Sequence, residues 1–402
     1  MTIAPEPIRV ERPASGGAVG HLPDGRVVFI RHTAPGELVT VDVTDETSKV
    51  CRGDAIEIIE ASPERVTAPC AYAHVGGCGG CDFQHLAPSA QRLWKATIVA
   101  DQLRRLAGIT WEGDVSAVGE AGQGTRTRLR LGVSADGQLG LRAHRSQEIL
   151  PLESCWISDP RFAPAFATSW EGAEEVELRA IGDLEPFAVV RRETPRGTVM
   201  ELTSMRGEPL EPSTHSRVKV DGHYFKVSPR AFWQAHRDAP EILVREVLAM
   251  TDVKPGDHVV DLFSGVGLFS VPLARRVGPG GKVVAVESSP YAVRDARENA
   301  DKLRHLRIRE WNVTPRAIND AVAPGDIVVV DPPRSGLSKG VPEALVRRAP
   351  RRIVYVSCDP ATMARDLKIL LAGGYQLTDF KVFDLFPMTE HVESIALLDI
   401  GA

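Results

Sequence analysis

One cysteine stands where a reactive group would be useful. Cys358 follows the apolar segment 353–356 and precedes Asp359 and Pro360. This pattern predicts a buried strand that ends just before the cysteine and a helix that begins after it. Open α/β sheets carry their chemistry at that edge, so the thiol is a candidate nucleophile. The alternative is a buried, unreactive cysteine, because free cysteines are among the most buried residues.

Three acidic residues are predicted near the same edge. Glu287 ends the predicted strand 283–286, where an acid can bond the ribose hydroxyls of a nucleoside cofactor. Asp331 ends the strand 327–330, and the two prolines after it stiffen a loop that faces the cofactor crevice. Glu393 belongs to the strand pair that closes the sheet. It is a candidate proton acceptor, although a solvent-facing acid is the more common role.

A glycine pair suggests the kind of cofactor. Gly265 and Gly267 follow the predicted strand 259–263 and precede a helix, so the backbone can pass close to a ligand. The third glycine of a dinucleotide site is missing, which suits a nucleoside without a pyrophosphate. S-adenosylmethionine fits this pattern better than NAD.

Three cysteines lie close together in the first quarter of the chain. Only two glycines separate Cys78 from Cys81, so both thiolates can reach one centre, and Cys70 precedes them. Cys155 is the best candidate for a fourth ligand. An iron–sulfur cluster and zinc are both compatible with four thiolates. The spacing does not match the short three-cysteine motif of radical S-adenosylmethionine enzymes.

Residues 1–62 are predicted to form short strands that close into a small barrel. Asp24-Gly25 before an apolar run is a strong hairpin signal. The segments 25–29 and 34–37 resemble the TRAM domain of RNA-modifying enzymes. Residues 1–85 contain 7 Lys and Arg against 12 Asp and Glu, and this acidity argues against strong RNA binding by the barrel alone.

The middle of the chain contains one amphipathic helix and a row of arginines. Residues 88–108 predict a helix with Leu106 on its apolar face, and this helix could pack on the catalytic domain. Glu171 to Glu177 predict an acidic surface run, and Ser228-Pro229 predicts a helix start. Alternating arginines share one strand face and could follow an RNA phosphate track or be solvated: Arg126, Arg128 and Arg130, extended by Arg142 and Arg145.

Length and composition describe an ordinary soluble protein. The 402 residues are 43% hydrophobic and 25% charged, with a net charge of −5. No segment approaches the ~18 apolar residues that span a bilayer, so we expect a cytoplasmic protein with no membrane partner. We predict an α/β protein with three domains. They are an OB/TRAM-like barrel (1–62), a central, mostly β domain with the cysteine cluster (63–230), and a Rossmann-like domain (231–402). The resemblance described next implies that the central domain binds RNA and that the last domain is a class I methyltransferase.

Three motifs together resemble the RNA 5-methyluridine methyltransferase family. They are Asp-Pro-Pro-Arg-Ser-Gly at 331–336, Tyr-Val-Ser-Cys at 355–358, and Pro-Met-Thr-Glu-His-Val-Glu at 387–393. The resemblance implies that Cys358 attacks a uridine and that Glu393 accepts a proton. It also implies that S-adenosylmethionine is held by Gln234, Phe263, Glu287 and Asp331.

The same resemblance implies a 4Fe-4S cluster on Cys70, Cys78, Cys81 and Cys155, which favours iron–sulfur over zinc. The implied partner is tRNA or 23S ribosomal RNA, and we expect a monomer. Asp359 beside the thiol is expected to raise its pKa unless a cation such as Arg365 compensates. Two other functions are compatible with the motifs: an amino-directed methyltransferase of the Asp-Pro-Pro type, and a non-catalytic iron–sulfur RNA-binding protein.

Overall fold

The computed structural model describes residues 2–4, 6–47, 50–119, 122–143, 146–211 and 213–401. Over these ranges, no helix combines the length and the apolar character needed to cross a membrane.

The N-terminal strands form a closed sheet. The segment 8–14 pairs with residues 38–39 through its first residues and with residues 17–19 through its last ones, so it joins the two sides of the sheet. Gly20 permits this closure, because a Cβ there would lie 2.6 Å from Ile8. The strands are β1 (Thr2–Ile3), β2 (Ile8–Arg9), β3 (Arg12–Ala14), β4 (Gly17–His21), β5 (Val27–Arg31), β6 (Leu38–Glu46) and β7 (Val50–Glu60), in the order β1-β6-β7-β5-β4-β3.

The helix predicted over residues 88–108 is observed as α1 (Pro88–Ala107). Trp94 packs in the core of the barrel, whereas Leu103 packs in the core of the C-terminal sheet. The helix therefore lies between the barrel and the C-terminal sheet, and Leu106 at its end is 41% exposed rather than part of the apolar face. The short strand β8 (Val115–Ser116) then joins the C-terminal sheet.

The central part of the chain is an antiparallel sheet followed by a separate hairpin. The sheet has the order β11-β10-β9-β12-β13-β14 and packs on Phe162 and Trp170. Its strands are β9 (Arg128–Val133), β10 (Leu139–Arg142), β11 (Ile149–Pro151), β12 (Glu175–Arg179), β13 (Phe187–Thr194) and β14 (Gly197–Thr203). A 3-10 turn (Pro160–Phe162), α2 (Ala163–Phe166) and the hairpin of β15 (Ser216–Val220) and β16 (His223–Val227) complete this part.

The predicted acidic surface run and the arginine row meet inside this sheet. Antiparallel pairing sets Glu177 directly opposite Arg130, and the buried carboxylate accepts hydrogen bonds from Arg128 at 2.9 Å and Arg130 at 3.0 Å. Two arginines of the row are therefore occupied, and Glu177 is not a surface residue. Arg145 lies outside the described residues.

The C-terminal sheet has the order β19-β18-β17-β20-β21-β23-β22-β8, with its first five strands parallel and β23 antiparallel to its neighbours. Strands β18 and β19 are added on one side of β17, and β20 and β21 on the other. This change of side opens a crevice at the carboxyl ends of β17 and β20. The strands are β17 (His258–Leu262), β18 (Lys282–Glu287), β19 (Leu306–Glu310), β20 (Ile327–Val330), β21 (Arg352–Ser357), β22 (Tyr375–Phe383) and β23 (Glu393–Ile400). The helices are α3 (Ala239–Thr251), α4 (Ser270–Val277), α5 (Pro290–Asn299), α6 (Pro315–Ala321), α7 (Val341–Arg348) and α8 (Pro360–Ala372).

The prediction that Ser228-Pro229 starts a helix is wrong, because α3 begins at Ala239. The Ser228 hydroxyl is already used, since it donates to buried Asp295 and accepts from Arg294 at 2.9 Å. It is therefore not available to cap a helix.

Candidate active site

The strand register brings the predicted catalytic and acidic residues to one edge of the C-terminal sheet. Glu287 ends β18, and Asp331 and Cys358 directly follow β20 and β21. Glu393 begins β23, whose next residue, Ser394, pairs with Ser357. Cys358 and Glu393 are therefore neighbours on strands that lie about 4.8 Å apart.

The turn after β17 has an unusual backbone. Phe263 has a φ of 63°, Gly265 of 55° and Gly267 of 92°. Positive φ is costly for a bulky residue such as phenylalanine, so the surrounding structure must hold this conformation. A Cβ on Gly265 would meet no atom within 4 Å, so the turn leaves open space on that side.

Glu287 holds this turn. Its carboxylate accepts hydrogen bonds from the amides of Gly265 at 3.0 Å, Ser288 at 2.8 Å and Ser289 at 2.7 Å. A carboxylate offers about four acceptor positions, and Oε2 is used only once. Glu287 can therefore still accept a hydrogen bond from a ribose hydroxyl.

Gln234 lies in a buried segment next to the central sheet. The Thr127 amide donates to the Ala235 carbonyl at 2.7 Å, and the Arg237 amide donates to the Thr125 carbonyl at 2.9 Å. Among the described residues, no hydrogen bond joins the Gln234 side chain to Glu287 or Asp331. Its role in cofactor binding stays a prediction.

Cys358 is half-buried and its thiol is protonated at neutral pH. Burial raises its pKa to about 11, and the neighbouring carboxyl groups of Glu393 and Asp331 raise it as well. Arg334 opposes this rise through its charge and a hydrogen bond. The thiol therefore lies between two acids and one cation.

The two acids that neighbour Cys358 also have raised pKa values. Burial and the charge of Asp331 raise the pKa of Glu393 well above its usual value. Burial and the charge of Asp261 raise the pKa of Asp331 to about 7. Buried carboxyl groups this close together do not all ionise at neutral pH, so the edge can hold and transfer protons.

Asp359 is not among the largest causes of the raised thiol pKa, and its expected effect stays a prediction. Its carboxylate caps α8 by accepting a hydrogen bond from the Thr362 amide at 2.9 Å, and Glu393 and Asp331 are the acids that raise the thiol pKa. Arg365 donates to the Asp366 carboxylate at 3.0 Å and does not serve as the compensating cation. Arg334 has that role.

Sequence reasoning missed two residues of this edge. Arg334 is the fourth residue of the Asp-Pro-Pro-Arg motif, and its place in that stiff loop was an available signal. Asp261 is fully buried and bonded to Ser270, and burial raises its pKa to about 7. Over the part of the chain that the structure describes, its Oδ1 has no hydrogen-bond partner.

The four predicted ligand cysteines surround one cavity of about 280 Å³. Burial and the neighbouring thiols Cys155, Cys78 and Cys70 together raise the pKa of Cys81 to about 12. The Gly80 amide points to the Cys78 sulfur at 3.4 Å. Among the described residues, no three His, Cys, Asp or Glu side chains converge closely enough to hold one metal ion.

One loop, residues 384–391, joins this cavity to the sheet edge, and we call it the C-terminal loop. Its residues Phe386, Thr389 and His391 line the cavity together with Arg334, and Glu393 follows two residues later. Arg334 thus faces the cysteine cavity and also neighbours Cys358.

Three parts of the chain hold the C-terminal loop. From α1, buried Lys95 donates to Asp384 at 2.6 Å and to the Phe386 carbonyl at 2.9 Å, and Gln91 accepts from the Met388 amide at 3.1 Å. The Phe83 amide, next to the cysteine segment, donates to the Met388 carbonyl at 3.0 Å. A barrel turn binds Glu390 through the Ser15 hydroxyl at 3.1 Å and the Gly16 amide at 2.6 Å.

Three segments of the chain match known family models. Residues 316–400 match the tRNA (uracil-5-)-methyltransferase family model, and residues 6–56 match the TRAM domain. Residues 218–330 match the TRM5/TYW2 methyltransferase domain. The predicted TRAM-like module is confirmed.

Relatives and a solved structure cover almost the whole chain. An uncharacterized RNA methyltransferase of Streptomyces avermitilis is 40% identical over 96% of both chains. The 23S rRNA (uracil(1939)-C(5))-methyltransferase RlmD of Acinetobacter baylyi is 33% identical over 93% of this chain and 89% of its own. The crystal structure of Pyrococcus abyssi tRNA (uracil-54, C5)-methyltransferase in complex with S-adenosyl-L-homocysteine superposes with a TM-score of 0.71 and 25% identity, covering 97% of this chain and 100% of its own.

The fold and the edge chemistry are therefore those of a class I methyltransferase that acts on RNA. The chain belongs to the RNA 5-methyluridine methyltransferase family. The predictions of the family and of an S-adenosylmethionine-dependent RNA (uracil-C5) methyltransferase are confirmed.

Proposed function

We propose that this enzyme methylates C5 of a uridine in 23S rRNA or tRNA through a covalent adduct between Cys358 and C6 of the base. The placement of Cys358 beside Glu393 at the open sheet edge carries this proposal. A nucleophile and a proton acceptor on neighbouring strands are what C5 methylation requires, because uracil C5 is a poor nucleophile on its own.

In the proposed reaction, the Cys358 thiolate forms a bond to C6 and the electron pair of the 5,6 double bond moves into an enolate. The enolate carbon C5 takes the methyl group that S-adenosylmethionine supplies. Glu393 then accepts the C5 proton, and the C6–sulfur bond breaks to restore the double bond and free Cys358. A target uridine within folded RNA must leave its stack to reach Cys358.

The raised pKa values of the edge indicate how the thiolate forms. Cys358 lies near Asp331 and Glu393, and a positive charge bound beside these acids lowers the pKa of all three groups. We infer that Cys358 ionises after cofactor binding. Gln234, Phe263, Gly265, Gly267, Glu287 and Asp331 would hold the cofactor.

Trapping with 5-fluorouridine tests the covalent mechanism. A fluorine at C5 cannot leave as a proton, so wild-type enzyme incubated with S-adenosylmethionine and 5-fluorouridine RNA should form a stable protein–RNA complex. The Cys358→Ala variant should form none, whereas Cys51→Ala, a control in the barrel core, should behave as wild type. Full methylation by Cys358→Ser would contradict the covalent mechanism and favour an amino-directed methyltransferase.

The choice of RNA rests on the relatives. The enzymes named above act on 23S rRNA and on tRNA. Incubation of the enzyme with separate unmodified transcripts of each RNA, followed by nucleoside mass spectrometry, should show 5-methyluridine in one of them. Methylation of neither transcript would contradict the assignment.

We further propose that Cys70, Cys78, Cys81 and Cys155 hold a 4Fe-4S cluster. A single zinc ion needs every sulfur about 2.3 Å from one point, whereas a cluster places its ligands on separate irons around a larger centre. Four thiols that line one cavity supply the number of ligands that such a cluster needs. The cluster would stabilise the cysteine segment against Cys155 and the C-terminal loop.

Metal analysis distinguishes the two centres. Anaerobically purified protein should contain iron and acid-labile sulfide in a ratio of about one, and Cys155→Ser should lose both. The control Cys51→Ser should retain them. One zinc per chain without sulfide would contradict the proposal.

A further inference from the structure

A hairpin outside the candidate active site displays a face of cations and one aromatic ring. In the β15–β16 pairing, Lys219 lies opposite Tyr224 and Arg217 lies opposite Lys226, so these four side chains share one face. Tyr224 is 48% exposed, and the Arg217 guanidinium lies 4.2 Å from the centre of its ring.

The chain continues from this hairpin along α5. Lys226 bonds to Glu298 at 2.7 Å near the end of α5, Ser228 accepts from Arg294 at 2.9 Å, and Arg230 bonds to the Tyr291 hydroxyl near its beginning. The segment therefore runs antiparallel to α5 for about two turns, or about 11 Å. Arg230 stacks on Tyr291 at 5.1 Å, and both are exposed.

Three cations of this strip are not neutralised by the protein. Among the described residues, no carboxylate forms an ion pair with Arg217, Lys219 or Arg230, whereas Lys226 pairs with Glu298. By contrast, Arg128 and Arg130 of the central sheet both bond to Glu177. On a protein with a net charge of −5, three unpaired cations on one strip are suited to an anionic partner.

Two features of the strip fit RNA. Exposed cations at intervals suit successive phosphates, and exposed tyrosines that already stack with arginine offer surfaces on which bases stack. The strip is also close in sequence to the candidate active site. Gln234, a predicted cofactor residue, follows Arg230 by four positions.

We propose that this strip binds the RNA strand that flanks the target uridine. We define the α5 track as Arg217, Lys219, Tyr224, Arg230 and Tyr291. The cations contact phosphates, and Tyr224 and Tyr291 stack with unpaired bases. This inference rests on the proposed RNA substrate, and it assigns RNA affinity to a surface beyond the TRAM barrel and the sheet edge.

Salt-dependent binding of the full-length protein tests the α5 track. The probe is the unmodified transcript, 23S rRNA or tRNA, that the enzyme methylates. The variant Arg217→Gln/Lys219→Gln/Arg230→Gln should weaken binding at least tenfold at low salt and reduce the slope of log affinity against log salt by about 2. Tyr224→Ala/Tyr291→Ala should weaken binding at least fivefold with little change in slope.

A matched triple variant controls for net charge. Arg196→Gln/Arg316→Gln/Arg347→Gln removes three exposed cations from the β13–β14 turn and from α6 and α7. It should keep the wild-type affinity and slope. Equal losses in the two triple variants would overturn the α5 track, because net charge alone would then explain the effect.

The readouts separate this inference from the proposed function. Loss in the α5 track variants should appear as a higher KM for RNA, with an unchanged affinity for S-adenosylmethionine and an unchanged unfolding temperature. If wild type methylates neither RNA, the proposed function fails. If wild type methylates RNA and the α5 track variants keep its KM and salt slope, only the α5 track is wrong.

Discussion

The thiol of Cys358 has to be both protected and activated. Burial and two neighbouring acids keep it protonated in the free protein, which limits oxidation because the thiolate is the reactive form. Arg334 is a charged group near it that acts in the opposite direction. Activation therefore depends on the balance between Arg334 and the carboxyl groups of Glu393 and Asp331.

Arg334→Gln should make Cys358 harder to ionise. The thiol pKa, already about 11, should rise further because the opposing cation is lost. The pH dependence of iodoacetamide alkylation, followed by mass spectrometry of the Cys358 peptide, should shift to higher pH. Arg365→Gln is the control, since that guanidinium bonds to Asp366. An unchanged alkylation profile in Arg334→Gln would contradict this role.

For single residues, the sequence indicates which side chains lie at the sheet edge. It does not indicate how these side chains change one another's pKa. Cys358, Asp331 and Glu393 could be predicted because each stands at a strand end or inside a recognisable motif. The position of the Asp359 carboxylate could not be predicted, because sequence adjacency does not show that this carboxylate caps α8. Asp261 looked like an ordinary strand residue, and only its burial makes it part of the proton-holding group.

At the scale of elements, α1 positions the C-terminal loop. Lys95 is fully buried, and its ammonium bonds to Asp384 and to the Phe386 carbonyl. Such a buried ion pair adds little net stability, but it penalises any other position of the loop. The loop leads directly to Glu393, so α1 helps to position the proposed proton acceptor.

Lys95→Met should destabilise the protein by about 3–5 kcal/mol, because it leaves Asp384 buried without its partner. Urea unfolding measures this loss, and Lys95→Met/Asp384→Leu should recover part of it. The exposed pair of Arg104 and Asp101 provides the control, and Arg104→Met should cost less than about 1 kcal/mol. An equal cost for the single and the double variant would contradict the predicted coupling.

Glu177 makes the central sheet sensitive to acid. Burial would raise its pKa, but the hydrogen bond from Arg128 and the charge of Arg179 outweigh burial and hold the pKa at about 2. This depressed pKa stabilises the fold above about pH 4.5, and the contribution is lost as the pH falls towards 2. Glu177→Gln should therefore lower the unfolding free energy at pH 7 by about 3 kcal/mol and flatten its dependence between pH 5 and 2.

Unfolding in urea at a series of pH values measures this effect. The control is Glu174→Gln, an exposed residue just before β12 of the same sheet, which should keep the wild-type pH dependence. If the unfolding free energy of Glu177→Gln fell as steeply between pH 5 and 2 as that of wild type, the stabilising role of the Glu177 carboxylate would be contradicted.

The elements themselves were easier to predict than their partners. The periodicity of α1 predicted its bounds to within one residue, yet its buried polar residues Gln91 and Lys95 carried no signal. Their partners lie 297 and 289 residues away in the sequence. The helix wrongly predicted at Ser228 failed for the same reason, because the hydroxyl is used by α5.

At the scale of the whole molecule, the barrel is fastened to the catalytic sheet through the C-terminal loop. The barrel contributes the Ser15 hydroxyl and the Gly16 amide, and the loop contributes the Glu390 carboxylate. The position of the barrel is thus linked to the loop that lines the cysteine cavity and continues to Glu393. The boundaries of the three predicted domains stay a prediction. Residues from all three predicted ranges contribute to or contact this loop.

Glu390→Ala should loosen the barrel without affecting the sheet edge. The Gly16 amide loses its acceptor, so its hydrogen exchange should become at least tenfold faster, with an unchanged affinity for S-adenosylmethionine. Glu11→Ala is the control, because Glu11 pairs with His21 on the surface of the barrel and does not contact the C-terminal loop in any hydrogen bond of the described residues. Slow exchange at Gly16 in Glu390→Ala would show that other contacts hold the barrel.

The C-terminal loop also determines when several early parts of a nascent chain can form their native hydrogen bonds. Lys95, Gln91 and the barrel turn leave the ribosome hundreds of residues before Asp384, Met388 and Glu390. At about 5–20 residues per second, the early parts wait on the order of 15–75 seconds before their partners are synthesised. During this time Lys95 lacks the carboxylate that it pairs with in the folded protein, and the barrel turn lacks Glu390. The last strand pair to emerge completes both the fold and the proposed proton acceptor.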